Sequence, residues 1–241
     1  VDTLFDGVAD VVVSQRFERL GADGAPRRLG IMGGTFDPVH VGHVACADEV
    51  RRICRLDAVL LVPAGVSVFK KGRDVALAAH RLNMCRLAVA AHSGLDVSAI
   101  EVNRPGDSYT ADTLRQLRAH YPKNVELFFI VGADAAATLG SWHEPEAIAR
   151  AARIIAMTRP GHIVAPECRA SLAVQGFSVD YVRVADYPVS SSAIREKLAK
   201  GESVRDLLAP NVYDYVSAHG LYRCAGEWKA KQCGKGGAVR G

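Results

Sequence analysis

The chain has 241 residues, 49% of them hydrophobic and 23% charged, enough apolar material for a sizeable core and too much for a wholly disordered chain. No apolar run approaches the roughly 18 residues of a membrane-spanning helix. The formal charge of +4 is concentrated at one end: residues 224–241 hold Lys229, Lys231, Lys235 and Arg240 against Glu227 alone, so residues 1–223 carry 26 basic and 25 acidic side chains. That body has no basic excess suited to nucleic acid. The Gly-rich, basic stretch 224–241 is expected to be a solvated, disordered tail.

Residues 1–27 are weakly patterned and are expected to form a poorly ordered leader. They carry Asp2, Asp6 and Asp10 where a secretory signal has a cationic start, so a cytoplasmic location is expected. From Arg28 to Arg223 the pattern is regular and predicts one domain. Short apolar runs at Leu29–Met32, Ala58–Val62, Leu95–Ile100, Val125–Val131, Arg153–Thr158 and Val179–Val184 have the length of buried strands, and most lack alternation, as strands covered on both faces do. Helical periodicity fills Val44–Cys54 and Leu77–Ala91, and predicts a third helix over Thr110–His120 with Thr110 at its cap. This alternation predicts a doubly wound, Rossmann-like α/β fold, a parallel sheet with helices on both faces. The six cysteines, at 46, 54, 85, 168, 224 and 233, have neither zinc spacing nor a disulfide framework. No metal site is expected.

Doubly wound sheets bind ligands at the carboxyl ends of their strands. The first such loop reads Gly33-Gly34-Thr35-Phe36-Asp37-Pro38-Val39-His40-Val41-Gly42-His43. Gly33 and Gly34 allow close backbone approach to a ligand, and Gly42 opens a helix N-terminus that attracts anions. His40 and His43 can converge on one phosphate as N–H donors. Near the other end, Ser190, Ser191 and Ser192 precede Arg195 by one helical turn, with Ser192 expected at the cap, and form a second anion site.

These two segments resemble the His-x-Gly-His and Ile-Ser-Ser-Thr-x-x-Arg signatures of the nucleotidyltransferase superfamily. The middle of the chain is more particular. Gly106-Asp107-Ser108-Tyr109-Thr110-Ala111-Asp112-Thr113-Leu114, Gly132-Ala133-Asp134, Ser141-Trp142, His80-Arg81-Leu82-Asn83-Met84 and Thr158-Arg159-Pro160-Gly161 are similar to segments of bacterial nicotinate-nucleotide adenylyltransferases, in register from about Leu29 to Tyr222. One segment departs: Pro63 to Lys71 lacks the family's Pro-Pro-His-Lys pattern but keeps a basic residue, taken as Lys70.

The resemblance implies adenylyl transfer from ATP to nicotinate mononucleotide, giving deamido-NAD and pyrophosphate in NAD biosynthesis. It implies catalytic roles for His40, His43 and Arg195. ATP would be held by Gly33, Gly34, Thr35, Phe36, Gly42, Lys70, Gly132, Asp134 and Ser190–Ser192. Nicotinate mononucleotide would be held by Thr35, Tyr109, Thr110, Trp142 and Arg159, with the Thr110 helix start taking the carboxylate and Trp142 facing the cationic ring. Magnesium is expected on the ATP phosphates, and neither a nucleic acid nor a membrane is an expected partner. Three other readings remain at this point: a sister enzyme such as a pantetheine-phosphate adenylyltransferase, a class I aminoacyl-tRNA synthetase (whose His-Ile-Gly-His the chain's His40-Val41-Gly42-His43 resembles), and a non-catalytic nucleotide sensor. The chain is too short for a synthetase with its anticodon-binding part, and it shows no Lys-Met-Ser-Lys-Ser motif.

Overall fold

The computed structural model describes residues 13–67, 75–159, 161 and 165–223. All six predicted strands form and join one parallel sheet: β1 (Arg27–Gly34), β2 (Ala58–Pro63), β4 (Leu95–Val97), β6 (Val125–Gly132), β7 (Arg153–Thr158) and β8 (Val179–Arg183), in the order β4-β2-β1-β6-β7-β8. From β1 the chain builds outward through β2 and β4, then returns to lay β6, β7 and β8 on the other side. The strand order therefore reverses between β1 and β6, which is where a sheet of this type opens a crevice.

Because side chains alternate across a strand, each central strand feeds two cores. Leu29, Leu60, Phe129 and Ile154 face the layer containing α3 (Thr110–His120), α5 (Pro145–Ala151) and α6 (Pro166–Val174). Met32, Val59, Leu61, Phe128 and Ile130 face α1 (Val41–Ile53), α2 (Ala78–Val89), α7 (Ser191–Ala199) and α8 (Pro210–Ala218). Gly30 is required where β1 meets this second layer: a Cβ there would lie 2.8–2.9 Å from Leu56, Val59 and Ile130.

Two short strands escaped prediction. β3 (Val66–Ser67) and β5 (Asp107–Ser108) pair in parallel as a separate ribbon. The predicted strand over Leu95–Ile100 ends at Val97, where Ser98 Oγ accepts the Ile100 N–H at 3.3 Å and turns the chain. The leader differs from expectation over residues 13–26, which lie against the domain. Val13 is buried, Ser14 Oγ donates to Asp96 at 2.6 Å, and the Arg16 guanidinium donates to the carbonyls of Val89, Ala90, His92 and Leu95. One arginine thus satisfies the end of α2 and the loop into β4, a role that composition does not show. Residues 1–12 and the expected tail at 224–241 lie outside the described residues.

Candidate active site

Two cavities open at the carboxyl ends of β1 and β6, and Gly132 at the end of β6 lines both. The first, about 430 Å³, is lined by Gly33, Gly34, Thr35, Thr110, Phe129, Val131 and Trp142. The second, about 330 Å³, is lined by His40, Gly42, His43, Cys46, Arg159, Ser190 and Ser191. Those predicted residues that line these cavities therefore separate into two groups on either side of one backbone position.

The histidine group is built by a reciprocal cap. Helix α1 begins at Val41, three residues earlier than its apolar periodicity suggests, because His40 is its N-cap. His40 Nδ1 accepts the His43 N–H at 3.3 Å, and His43 Nδ1 accepts the His40 N–H at 3.2 Å, the logic of a capping box with imidazoles in place of hydroxyl and carboxylate. The rings stack at 3.6 Å, and Phe36 meets His43 edge-on at 5.0 Å. Since each Nδ1 accepts, the ring protons sit on Nε2, so each neutral imidazole has its donor on that atom. Burial pushes the His40 pKa down to about 4, which keeps that ring uncharged at neutral pH.

The helix start itself is a smaller anion site than the sequence suggests. Val41 donates to the Leu207 carbonyl, and the His43 and Val44 N–H groups point to His40. The Gly42 N–H makes no hydrogen bond to the described residues and faces the cavity that Gly42 lines. Gly42 also serves packing: a Cβ there would lie 2.7 Å from Val189 and 3.1 Å from Tyr187, on the loop that delivers the serines.

Helix α7 starts at Ser191 with Ser190, not Ser192, as its N-cap; Ser190 Oγ accepts the Ala193 N–H at 3.2 Å. Ser191 Oγ donates to the Pro38 carbonyl at 2.9 Å, and Ser192 Oγ accepts from Arg195 at 3.2 Å. Arg195 also donates to the Asp37 carbonyl at 2.6 Å, so α7 is tied to the loop after β1. Ser192 and Arg195 line neither of the two cavities, and two hydrogen bonds with an ion pair to Asp37 Oδ2 at 3.6 Å leave the guanidinium with donors to spare.

On the other side, Tyr109 rather than Thr110 is the cap of α3, and no side chain caps that helix. Its first-turn N–H groups stand beside Thr110 at the cavity wall. Trp142 Nε1 donates to Thr138 Oγ1 at 3.0 Å, and the ring packs edge-on to Phe129 at 6.1 Å. Tyr109 lies 4.3 Å from the His143 ring, in an adjoining cavity of about 380 Å³ shared with Thr110 and Trp142. Arg159 belongs with the histidines, away from the Tyr109–Thr110–Trp142 group with which it was expected. Asp134 sits exposed in the first turn of α4 (Ala133–Ala136) and lines neither of the two cavities. Lys70 lies outside the described residues.

Two charged residues of this region were not singled out for a role from sequence. Arg81, on α2, is only 2% exposed and donates to the carbonyls of Ala76, Thr35 and Gly65, fixing three loops together. Glu101 lines the larger cavity and accepts from Thr113 at 2.7 Å; desolvation raises its pKa, while hydrogen bonds from Thr113 and Ser108 oppose the rise. Its place just past a predicted strand end was the available signal.

A divalent ion finds no ready cage here. Among the described residues no three His, Cys, Asp or Glu side chains group as metal ligands, and the nearest loop carboxylate, Asp37, is occupied by hydrogen bonds from Ala76 and Tyr222.

A crevice at the strand-order reversal, with imidazole donors on one side and an uncapped helix start beside an indole on the other, suits a nucleotidyltransferase. The comparisons agree. The family model described as cytidylyltransferase-like matches residues 31–197. A protein of Roseiflexus sp. named "Probable nicotinate-nucleotide adenylyltransferase" is 41% identical over 204 residues, covering 81% of this chain and 98% of the relative. One of the same name from Corynebacterium kroppenstedtii is 39% identical, covering 83% and 93%. The solved structure of Plasmodium falciparum nicotinic acid mononucleotide adenylyltransferase complexed with NaAD superposes with a TM-score of 0.65, at 19% identity over 81% of this chain and 97% of that one, a likeness of fold. The chain belongs to the cytidylyltransferase-like family and, within it, to the nicotinate-nucleotide adenylyltransferases.

Proposed function

We infer that the protein transfers the adenylyl group of ATP to nicotinate mononucleotide, forming deamido-NAD and releasing pyrophosphate. The observation that carries this reading is the junction at Gly132. There the cavity holding Trp142 and the uncapped α3 start meets the cavity holding the two histidines, so an acceptor and a triphosphate can lie end to end.

The acceptor's phosphate oxygen attacks the α-phosphorus; a new P–O bond forms as the bond to the β-phosphate oxygen breaks. The nucleophile is already ionised at neutral pH, so no general base is required. Catalysis is positioning and charge stabilisation. The His40 and His43 Nε2–H donors and the Gly42 N–H serve the phosphates, with Arg159 on the same wall. Ser190 and Ser191 line it, and Arg195 holds the departing pyrophosphate with its remaining donors. On the acceptor side, the first-turn amides of α3 hold the carboxylate and Trp142 faces the cationic ring. Magnesium, carried on the ATP phosphates, would neutralise part of their charge.

Dinucleotide and pyrophosphate should appear when the protein meets ATP and nicotinate mononucleotide. Pyrophosphate release with phosphopantetheine and none with nicotinate mononucleotide would transfer the chain to the sister activity. The family's usual cytoplasmic setting is part of this proposal; among the described residues no helix is long and apolar enough to cross a membrane.

A further inference from the structure

Asp37 lies at the centre of the loop between β1 and α1 and is 1% exposed, yet the chemistry above gives it nothing to do. Its Oδ1 accepts from the Ala76 N–H at 3.1 Å and from the Tyr222 hydroxyl at 2.7 Å. Its Oδ2 stands 3.6 Å from Arg195, while Arg195 donates at 2.6 Å to the Asp37 carbonyl. Tyr222 comes from the far end of the described chain, past α8 and beyond the family-matched residues 31–197. It holds a left-handed backbone conformation with φ of 65°. Burial and the Asp37 charge push its phenol above the ordinary range, so the hydroxyl keeps its proton as a donor.

We propose that Tyr222 is a positioning residue for Arg195: by occupying Oδ1, its hydroxyl keeps the Asp37 carboxylate from closing onto the guanidinium. A buried carboxylate oxygen stripped of one donor seeks another; Arg81 also interacts with Asp37 but its guanidinium is held by three carbonyls, which leaves Arg195 as the cation able to move. A full Asp37–Arg195 pair would draw the guanidinium away from the leaving pyrophosphate. This rests on the role given to Arg195 above.

Tyr222→Phe removes only the hydroxyl. It should lower kcat roughly tenfold, in line with loss of a hydrogen bond to a charged group, while the KM values for ATP and nicotinate mononucleotide stay within about twofold. In an Arg195→Ala background the same change should have no further effect on kcat, because the group it positions is gone. Adding Asp37→Asn to Tyr222→Phe should recover turnover, since the amide oxygen can still accept a hydrogen bond but lacks the charge that would draw the guanidinium over. Equal losses of turnover with and without Arg195, unchanged kcat in Tyr222→Phe, or no recovery in the double variant would each overturn the proposal. An unaltered protein that makes no dinucleotide would instead overturn the reading of function on which it depends.

Discussion

On the Trp142 side of Gly132, the cavity wall is mostly apolar, with Phe129, Val131 and Trp142 supplying surface and the α3 start supplying amides. The His43 side has as much apolar surface, from Met32, Met157, Val184 and Val189, but its polar groups are held by bonds within the site: His40 to His43, Ser190 to Ala193, Ser191 to Pro38. In the proposed reaction the first surface would recognise a ring that is the same before and during the chemical step, and the second would present donors fixed in advance where charge shifts. On that proposal one side serves affinity and the other rate.

Substitutions on the two sides should separate accordingly. The largest effect belongs to His43→Ala, which removes a preorganised donor and half of the reciprocal cap. Its turnover number should fall about a hundredfold, on the order of 3 kcal/mol, with little change in ATP binding. Near-normal turnover in steady-state assays would remove the chemistry from this helix start.

His40 makes the same side sensitive to acid. Its pKa is about 4 in the folded chain against an ordinary 6.5, so the unfolded chain takes up the proton first as pH falls. Its contribution to stability is complete above about pH 6.5 and is lost on the way down to about pH 4, by up to roughly 3 kcal/mol. Urea unfolding of the protein and of His40→Gln, measured from pH 7.5 to 4.5, should show a steeper acid loss in the unaltered chain. Parallel curves would mean that the ring is not held neutral by burial.

The smallest effect is expected across the junction. Trp142→Ala should raise the KM for nicotinate mononucleotide about fivefold, roughly 1 kcal/mol of ring interaction, and leave kcat and the KM for ATP nearly unchanged. A fall in kcat of the same size would erase the contrast between the two walls.

Much of this arrangement is legible in the sequence because it depends on local pattern. The six strands announce themselves as apolar runs, and His40, Gly42 and His43 sit in one short loop. What is not legible depends on distance along the chain or on partners too small to leave a pattern. A two-residue strand such as β3 has no periodicity to detect. The early start of α1 comes from an imidazole acting as a cap, which propensity does not anticipate. Arg81 sits in a helical run where its neighbours are read by their apolar spacing, and its three carbonyl partners lie on loops 5, 46 and 16 residues away. Arg159 follows a strand, as a phosphate ligand should, but the side of the crevice it joins is decided by β7 standing beyond β6 in the sheet.

Gly132 has a consequence for how this protein tolerates change. Its backbone is ordinary, with φ of −66°, and a Cβ placed on it would meet no atom within 4 Å. Folding alone would accept an alanine there. On the proposed function the methyl group would instead stand where the acceptor and the triphosphate meet, a doorway kept open by the lack of a side chain. At Gly30 a larger residue is barred by the neighbours it would strike, whereas at Gly132 the bar comes only from traffic, so the second glycine is a place where inheritance of a working enzyme and inheritance of a stable fold part company.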